Sequence, residues 1–317
     1  MLNSNNINLK YYYLFKKLIP RVLQIKLRRI LAKRKRRLYQ NVWPIKEVQN
    51  PKPRSFTGWP EGKRFAIVLR HDVEKRRGYN RINNLMKVDE EYDFKSSFNI
   101  VPGLYEVSQE VTNDLINNGY EIGIHGWKHD GLLYFSRNVF MKRSQLINSA
   151  LKKFNSVGFY SPSSHHRLEW IHDLNILYDS STFDTDPFEP QPQGVDTIFP
   201  FIVSEEKDKK SYVEIPYTLP QDHTLFIILK EPNIDLWINK LNWIVSKGGM
   251  VCFNTHPDYM HFAEGKKRID EYDANLYRSF LEYIKEEYNG EYYNFLPKQI
   301  AKYWLEINNC CSNNYLY

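Results

Sequence analysis

Two histidines four residues apart, His125 and His129, have the clearest potential for chemistry in this sequence. Side chains at positions i and i+4 lie on one face of a helical turn, so both imidazoles can reach a single cation. Neutral imidazole is a frequent ligand of zinc and similar metals. A pair with this spacing also arises by chance in a chain with nine histidines. A metal site therefore depends on the residues that the fold brings near the pair.

Polar residues that could complete such a site follow other apolar runs of the sequence. Five predicted strands are followed directly by polar clusters, at residues 71–74, 125–130, 161–165, 184–186 and 254–258. The carboxyl ends of the strands of a parallel barrel lie on one rim, so these clusters are expected to converge there. Five clusters on one rim indicate a functional site rather than five unrelated loops.

The elements that must position these clusters alternate between strand and helix. Predicted strands are 65–69, 97–101, 122–124, 157–160, 177–183, 212–215 and 250–253, and predicted helices are 81–92, 107–118, 138–154, 234–246, 272–288 and 298–307. Alternating units in this number indicate an α/β fold whose parallel sheet is closed, or nearly closed, into a barrel. A chain of 317 residues with 42% hydrophobic residues is long enough to bury the core of such a barrel.

The positive charge of the chain is concentrated at its N-terminus. Residues 1–40 hold 12 Lys or Arg and no acidic residue, whereas residues 41–317 hold 32 basic and 37 acidic residues, a net charge of −5. Apolar residues from Leu14 to Leu31 alternate with the basic ones and predict an amphipathic helix. It could lie on an anionic membrane or pack against the domain as a solvated helix, and both interpretations stay open. Nucleic-acid binding has little support, because no recognisable binding module accompanies the arm.

Other features of the composition bound the class of protein. No apolar run is long enough to span a bilayer, and the apolar residues Tyr11–Phe15 are too few for a secretory signal. The three cysteines, Cys252, Cys310 and Cys311, make no disulfide framework, which fits a reducing compartment. The chain also lacks a glycine-rich phosphate loop and a Gly-x-Ser-x-Gly motif, which argues against nucleotide binding and serine hydrolysis. We expect a cytoplasmic protein, with peripheral membrane contact through the arm.

The order of these residues resembles that of the polysaccharide deacetylases of the NodB-homology type, carbohydrate esterase family 4. The resemblance rests on the motif Arg70–Glu74, the pair His125 and His129, the aspartates in 184–186, and a late strand that ends in His256. It spans residues 60–262 and is closest to a branch whose first motif reads Arg-His-Asp-Val followed by an acidic residue. The resemblance implies a distorted (β/α)7–8 barrel and metal-dependent hydrolysis of the acetamido group of a sugar.

The predicted domain organisation has four parts. A basic amphipathic arm at residues 1–40 precedes a linker at 41–60, in which Pro44, Pro51 and Pro53 interrupt regular structure. The NodB-like barrel is expected at 61–265. Residues 266–317 are expected to form helices that pack on the barrel, followed by a tail.

The resemblance also implies roles for the site residues. A divalent metal, zinc by preference and cobalt or nickel as alternatives, would be bound by His125, His129 and one carboxylate of the first motif. The metal would lower the pKa of a bound water and polarise the acyl oxygen. A second carboxylate would accept the water's proton, and His256 would donate a proton to the leaving amine. Asp184 or Asp186 would hold the His256 imidazolium in place.

Two registers are open for the first motif. In one, His71 is the base and Asp72 the metal ligand; in the other, Asp72 is the base and Glu74 the ligand. If this segment is extended, residues 72 and 74 face one side of the strand and residue 71 faces the other. The second register is therefore preferred.

Two positions depart from the family pattern. Gly126 replaces the usual Ser or Thr, and Tyr160 stands where an Arg usually pairs with the catalytic carboxylate. Arg167, in the following loop, could replace that Arg. Without such a partner, a catalytically degenerate sugar-binding domain is an alternative, because fold does not imply function. Hydrolysis of another C–N bond, such as that of a cyclic amide, is a second alternative.

The expected substrate is an N-acetylated amino sugar, in a lipid-linked or nucleotide-linked intermediate of a surface polysaccharide. Aromatic rings can stack on sugar rings, and residues near the motifs can line the groove. The predicted substrate-binding residues are Ser161, Pro162, Trp127 and Tyr259.

Overall fold

A nine-residue strand, β1 (Phe65–Val73), lies at the centre of the fold, and every residue in it is buried. The structure is a computed structural model that describes residues 19–47, 52–204, 210–262 and 265–308. The apolar run 65–69 predicted the start of β1, but the strand continues four residues further. The first motif, apart from Glu74, is therefore part of an extended strand and not of the loop that follows it.

Strands lie on both edges of β1, and all of them run parallel to it. β8 (Met250–Thr255) pairs with one edge, while β11 (Tyr292–Phe295) and β2 (Ser96–Ile100) pair in succession with the other. The sheet continues from β2 through β3 (Glu121–Ile124), β4 (Gly158–Phe159), β5 (Tyr178–Asp179), β7 (Ser211–Glu214) and β6 (Phe201–Ser204). Only β6 and β7 pair in the antiparallel direction among the strands in the described part of this sheet.

The sheet curls into a nearly closed barrel. Phe183 forms a parallel bridge with Tyr217, just beyond the ends of β5 and β7. The backbone N–H groups of Thr218 and Leu219 then donate to the carbonyl oxygen of Cys252 in β8, at 2.9 and 3.3 Å. The chain after β7 thus returns to the strand beside β1. The predicted distorted (β/α)7–8 barrel is confirmed.

Helices cover the outside of this barrel. They are α1 (Arg21–Leu38), α2 (Arg76–Tyr79), α3 (Ile82–Glu91), α4 (Gln109–Asn117), α5 (Arg137–Lys153), α6 (Leu168–Ile171), α7 (Asp235–Lys247), α8 (Asn275–Glu287) and α9 (Pro297–Ile307). A π-helix spans His223–Leu229, and β9 (Met260–His261) pairs with β10 (Tyr272–Asp273). The longer helices bury one apolar stripe each, as α8 does with Tyr277, Phe280, Leu281 and Ile284.

The strand β11 was not predicted. Its four residues are mostly half-buried, so no continuous apolar run marks them in the sequence. β11 lies beyond residue 265 and pairs with β1, so the C-terminal segment supplies a strand of the sheet as well as α8 and α9. The predicted boundary at residue 265 therefore does not separate the barrel from the C-terminal helices.

The arm and the linker both pack on the barrel. Helix α1 buries Ile25 and Ala32, and its Arg29 donates to the carbonyl oxygen of Ile227 in the π-helix at 2.9 Å. In the linker, the rings of Phe56 and Trp59 pack against Phe199. The first part of the predicted arm helix, from Leu14, and the pair Cys310 and Cys311 lie outside the described residues. None of the helices within the described ranges combines the length and apolarity needed to cross a bilayer.

Candidate metal and catalytic site

The end of β1 directs its polar side chains to opposite faces of the sheet. Side chains alternate along an extended strand, so Asp72 and Glu74 share one face and His71 takes the other. His71 is fully buried, with Nε2 3.0 Å from Asp89 Oδ2 and Nδ1 2.7 Å from Thr255 Oγ1. His71 therefore belongs to an interior network, and the geometry matches the register in which Asp72 and Glu74 face the site.

Glu74, His125 and His129 form a cluster with the composition of a metal site. One ligand atom from each residue lies within 4.8 Å of the other two. His129 Nε2 is 3.0 Å from Glu74 Oε1. Two imidazoles and one carboxylate are a ligand set that binds catalytic zinc and leaves a coordination position open.

The orientation of His125 fits a metal ligand. Its Nδ1 lies 3.1 Å from the carbonyl oxygen of Tyr160, which can only accept, so the proton is on Nδ1 and the lone pair is on Nε2. Nε2 is buried and has no hydrogen-bond partner within the described ranges. Burial, which outweighs the opposing charge of Asp72, lowers the pKa of His125 to about 4. A neutral imidazole with an orphaned buried nitrogen fits a divalent cation such as zinc.

Gly126 allows the chain to turn between the two histidines. Its φ is +67°, a left-handed conformation that glycine adopts without strain. A Cβ at this position would come within 2.6 Å of Pro162 Cγ. The replacement of the usual Ser or Thr by Gly is therefore a requirement of this local packing, and Pro162 acts as a buttress of the turn.

Glu74 is held in its ionised form by neighbours on several elements. Burial alone would raise its pKa, but the charge and hydrogen bond of His129, then His256 and Lys75, bring the pKa well below its usual value. Tyr259 donates its hydroxyl to Glu74 Oε2. Asp258 accepts hydrogen bonds from the backbone N–H of Glu74, at 2.8 Å, and so fixes the turn after β1.

Asp72 is surrounded by hydrogen-bond donors and positive charges that favour its ionised form. Asn99 Nδ2 donates to Oδ1 at 2.8 Å, and Asn254 Nδ2 donates to Oδ2 at 3.0 Å. Burial opposes ionisation of Asp72, yet His125, Arg70, His256 and the Asn99 hydrogen bond outweigh it and lower the pKa to about 2. Asp72 is consequently a charged acceptor at neutral pH, with Oδ1 3.9 Å from His125 Nδ1.

Arg70 supplies the cation that is lost where Tyr160 replaces the family's Arg. Its Nη2 lies 3.7 Å from Asp72 Oδ2, and its guanidinium packs 5.0 Å from the ring of Tyr160. Tyr160 fills the usual Arg position with a buried ring whose hydroxyl meets those of Ser97 and Tyr178. Arg167 instead stacks on Trp170, so it is not the replacement. The carboxylate therefore keeps a guanidinium partner, which comes from β1.

His256, which follows β8, is paired with Asp222. His256 Nδ1 is 2.6 Å from Asp222 Oδ1, and the His256 backbone N–H donates to Oδ2 at 2.9 Å. Tyr272 donates its hydroxyl to the same Oδ2 at 3.0 Å. Burial alone would lower the pKa of His256, but the charge and hydrogen bond of Asp222, with Glu74 and Asp72, raise it to about 10. His256 is thus protonated at neutral pH.

The prediction that Asp184 or Asp186 holds His256 is wrong. Asp184 forms a buried ion pair with Lys240, and Asp186 Oδ1 caps the backbone N–H of Phe188 at 2.9 Å. Asp222 was missed because it follows no predicted strand directly. The signal in the sequence was its position as a carboxylate shortly before the apolar run 225–229.

The ion pair of Asp184 and Lys240 makes a testable contribution to stability. We expect Lys240→Met to lower the free energy of unfolding by about 3–5 kcal/mol, because it leaves a buried carboxylate without its cation. Lys240 Nζ also donates to the carbonyl oxygen of Pro44 at 2.6 Å, so the change also detaches the linker. Urea unfolding measures the loss.

The double variant Lys240→Met/Asp184→Asn is the control. It removes both charges, so it should be more stable than Lys240→Met alone. A double variant that is no more stable would contradict a role for the unpaired charge.

The four predicted substrate-binding residues have different environments. Trp127 is partly exposed, beside the histidine pair. Ser161 and Pro162 are buried, and the backbone N–H of Ser161 donates to Ser181 Oγ at 2.9 Å. Tyr259 is 4% exposed and occupied with Glu74, so the prediction that its ring stacks on a sugar is wrong. Only Trp127 of the four offers ring surface to a substrate.

Known structures share this fold, although no protein-family model and no curated protein sequence matches the chain. A Pseudomonas aeruginosa PAO1 protein assigned to the polysaccharide deacetylases is 15% identical, with a TM-score of 0.63 over 81% of this chain and 95% of that one. The allantoinase PuuE is 14% identical, with the same TM-score and coverage. A Mycobacterium smegmatis protein assigned to the polysaccharide deacetylases is 19% identical, with a TM-score of 0.59 over 80% and 94%. The chain therefore has the NodB-type barrel fold of the polysaccharide deacetylases.

Proposed function

We propose that this protein is a metal-dependent hydrolase that removes the acetyl group from the nitrogen of an amino sugar. The observation that carries the proposal is the cluster of Glu74, His125 and His129, with Asp72 and His256 beside it. The deacetylases among the neighbouring structures share the fold, and the polar side chains meet at the carboxyl ends of its strands.

The site contains a chemical group for each step of amide hydrolysis. A metal, when bound, supplies a water of lowered pKa and polarises the acyl oxygen. Asp72, ionised and 3.9 Å from His125, can accept the proton of the attacking water. His256, protonated and held by Asp222, can donate a proton to the nitrogen as the C–N bond breaks. Arg70 keeps Asp72 charged while this happens.

Metal content and acetate release test the proposal together. Mass spectrometry of the purified protein should find about one divalent ion per chain, most of it zinc, and a His125→Ala/His129→Ala variant should have lost it. The wild type should release acetate from N-acetylated sugars, and the variant should not. A wild-type protein that stays metal-free after incubation with zinc or cobalt would contradict the proposed mechanism.

Cyclic-amide hydrolysis is a second candidate, favoured by the equal similarity of the allantoinase to the chain. The reaction also breaks a C–N bond, but opening a ring releases no acetate. An assay with allantoin in place of the acetylated sugar therefore separates the two activities. Sugar binding without release of acetate by the metal-loaded protein would instead support a non-catalytic binding domain.

We propose further that the acetylated sugar is attached to a lipid or nucleotide phosphate and is processed in the cytoplasm. Cationic residues of α1 support this, because Lys35 donates to the carbonyl oxygen of Pro187 at 2.7 Å, and Arg21 lies 3.4 Å from His223 at the start of the π-helix. Positive charge at the entrance favours an anionic substrate. The acetate assay should therefore include a nucleotide-linked and an uncharged N-acetylated sugar.

A further inference from the structure

Helix α1 has a second apolar stripe, on the side that faces away from the barrel. Five residues recur at intervals that place them on one face of the helix: Leu23, Leu27, Ile30, Leu31 and Leu38. Their side chains are between 47% and 79% exposed. The buried residues Ile25 and Ala32 already attach the opposite face to the domain. The outer stripe has no partner among the residues that the structure describes.

Positive charge accompanies this stripe. Lys26, Lys33 and Arg37 are exposed along one border of it, and Arg34 lies within it. None of these four forms a salt bridge with another described residue. The first acidic residue of the chain is Glu47, so no carboxylate of the helix offsets the charge. An apolar stripe bordered by basic residues is the pattern of a helix that lies in the interface of an anionic membrane.

A second element with basic and apolar side chains lies next to α1. A cavity of about 640 Å³ lies between residues 226–232, around the end of the π-helix, and residues 267–279, and Arg29 of α1 is part of its wall. Its wall contains Arg29, Lys230, Lys267 and Arg268, and Ile269 projects beside them with 43% of its surface exposed. The wall also contains Glu231 and Glu271, which are paired with Arg36 and Arg81. With the exposed Asp273, the wall holds four basic and three acidic side chains, and Ile269 adds an exposed apolar side chain to it.

This surface is connected to the site by short contacts. Arg21, at the start of α1, lies 3.4 Å from the ring of His223, and that ring packs 4.7 Å from Tyr259, which bonds to Glu74. The cavity wall includes Tyr272, whose hydroxyl donates to the Asp222 that holds His256. Whatever binds this surface is thus held close to the barrel mouth.

We propose that the outer face of α1 and the loop at 265–269 form one surface that docks on a membrane containing anionic phospholipids. The apolar side chains enter the interface, and the basic side chains meet lipid phosphates, some of them at the wall of the cavity. Docking requires neither the metal nor the hydrolytic activity, so it can fail or succeed independently of the proposed function.

Vesicle co-sedimentation of the full chain tests the docking. The probes are vesicles of phosphatidylcholine alone and of phosphatidylcholine with phosphatidylglycerol. We expect at least about tenfold tighter binding to the anionic vesicles, weakened by high salt. Leu27→Glu/Ile30→Glu should reduce this binding about tenfold or more, and Ile269→Glu should reduce it several-fold, because each places a carboxylate in the interface.

The matched control is Met141→Glu/Leu146→Glu on helix α5. Its side chains are 40% and 42% exposed, so the change in charge and apolar area is similar. The control should bind anionic vesicles as the wild type does. Equal binding of wild type to both vesicle types, or equal loss in the control, overturns the proposal. A wild-type dimer that Leu27→Glu/Ile30→Glu converts to a monomer, with no vesicle binding, also overturns it and assigns the face to a second copy.

Discussion

Replacing Asp72 with Asn is expected to lower kcat for acetate release by about 100- to 10,000-fold, the range for loss of a general base. Asp72 is ionised and accepts hydrogen bonds from Asn99 and Asn254, whose side-chain amides can reorient to suit an asparagine. The variant should therefore fold normally and keep its metal, because Asp72 is not in the ligand cluster. Steady-state kinetics and metal content measure the two expectations.

Glu74→Gln is the comparison variant for Asp72→Asn, because it tests the metal ligand instead of the general base. A neutral amide at this position removes the charged ligand, so we expect bound metal to fall along with activity. The two variants thus separate base from ligand. If Asp72→Asn loses the metal and Glu74→Gln retains it, the roles of the two carboxylates are reversed.

Asp222→Asn is expected to lower kcat at neutral pH by a similar factor and to move the alkaline limb of the pH profile. His256 must be protonated to donate, and its pKa of about 10 places that limb near pH 10 in the wild type. Without the Asp222 charge, burial dominates and the pKa of His256 falls toward or below the ordinary value of about 6.5. Activity should then disappear at a pH several units lower. Kinetics from pH 5 to about 10.5 would show the shift.

Two further variants assign the shift to Asp222. Tyr272→Phe removes one hydrogen bond to Asp222 but leaves its charge, so it should move the limb much less. Asp186→Asn should leave the limb in place, because Asp186 caps Phe188 and does not contact His256. A limb that moves with Asp186→Asn and stays with Asp222→Asn would contradict the pairing seen in the structure.

The catalytic motifs could be predicted from the sequence because they follow apolar runs. Apolar runs identified the strands, and the polarity of parallel strands implied that the polar residues after the apolar runs of β1, β3 and β8 would converge. The alternation of side chains in an extended segment also separated His71 from Asp72 and Glu74. These inferences needed only local periodicity, which the sequence records directly.

Interaction partners that come from distant parts of the chain could not be predicted from the sequence. Asp222 reaches His256 from a loop before the π-helix, 34 residues away, and Arg70 takes the place of an Arg that was sought near Tyr160. The strand β11 joins β1 from 227 residues further along the chain. No periodicity links such residues, because their proximity results from the closure of the sheet.

The sequence by itself determined the barrel, the His pair and the carboxylate motif, since each is written in short-range patterns of polarity. Only the tertiary structure decided which charges neutralise one another: Asp222 with His256, Asp184 with Lys240, and Arg70 with Asp72. It also decided that α1 turns one apolar stripe to the domain and leaves another exposed. From the sequence, several carboxylates could have paired with each of these basic groups. Which pair forms depends on the distance between the groups and on their desolvation, and both depend on the whole fold.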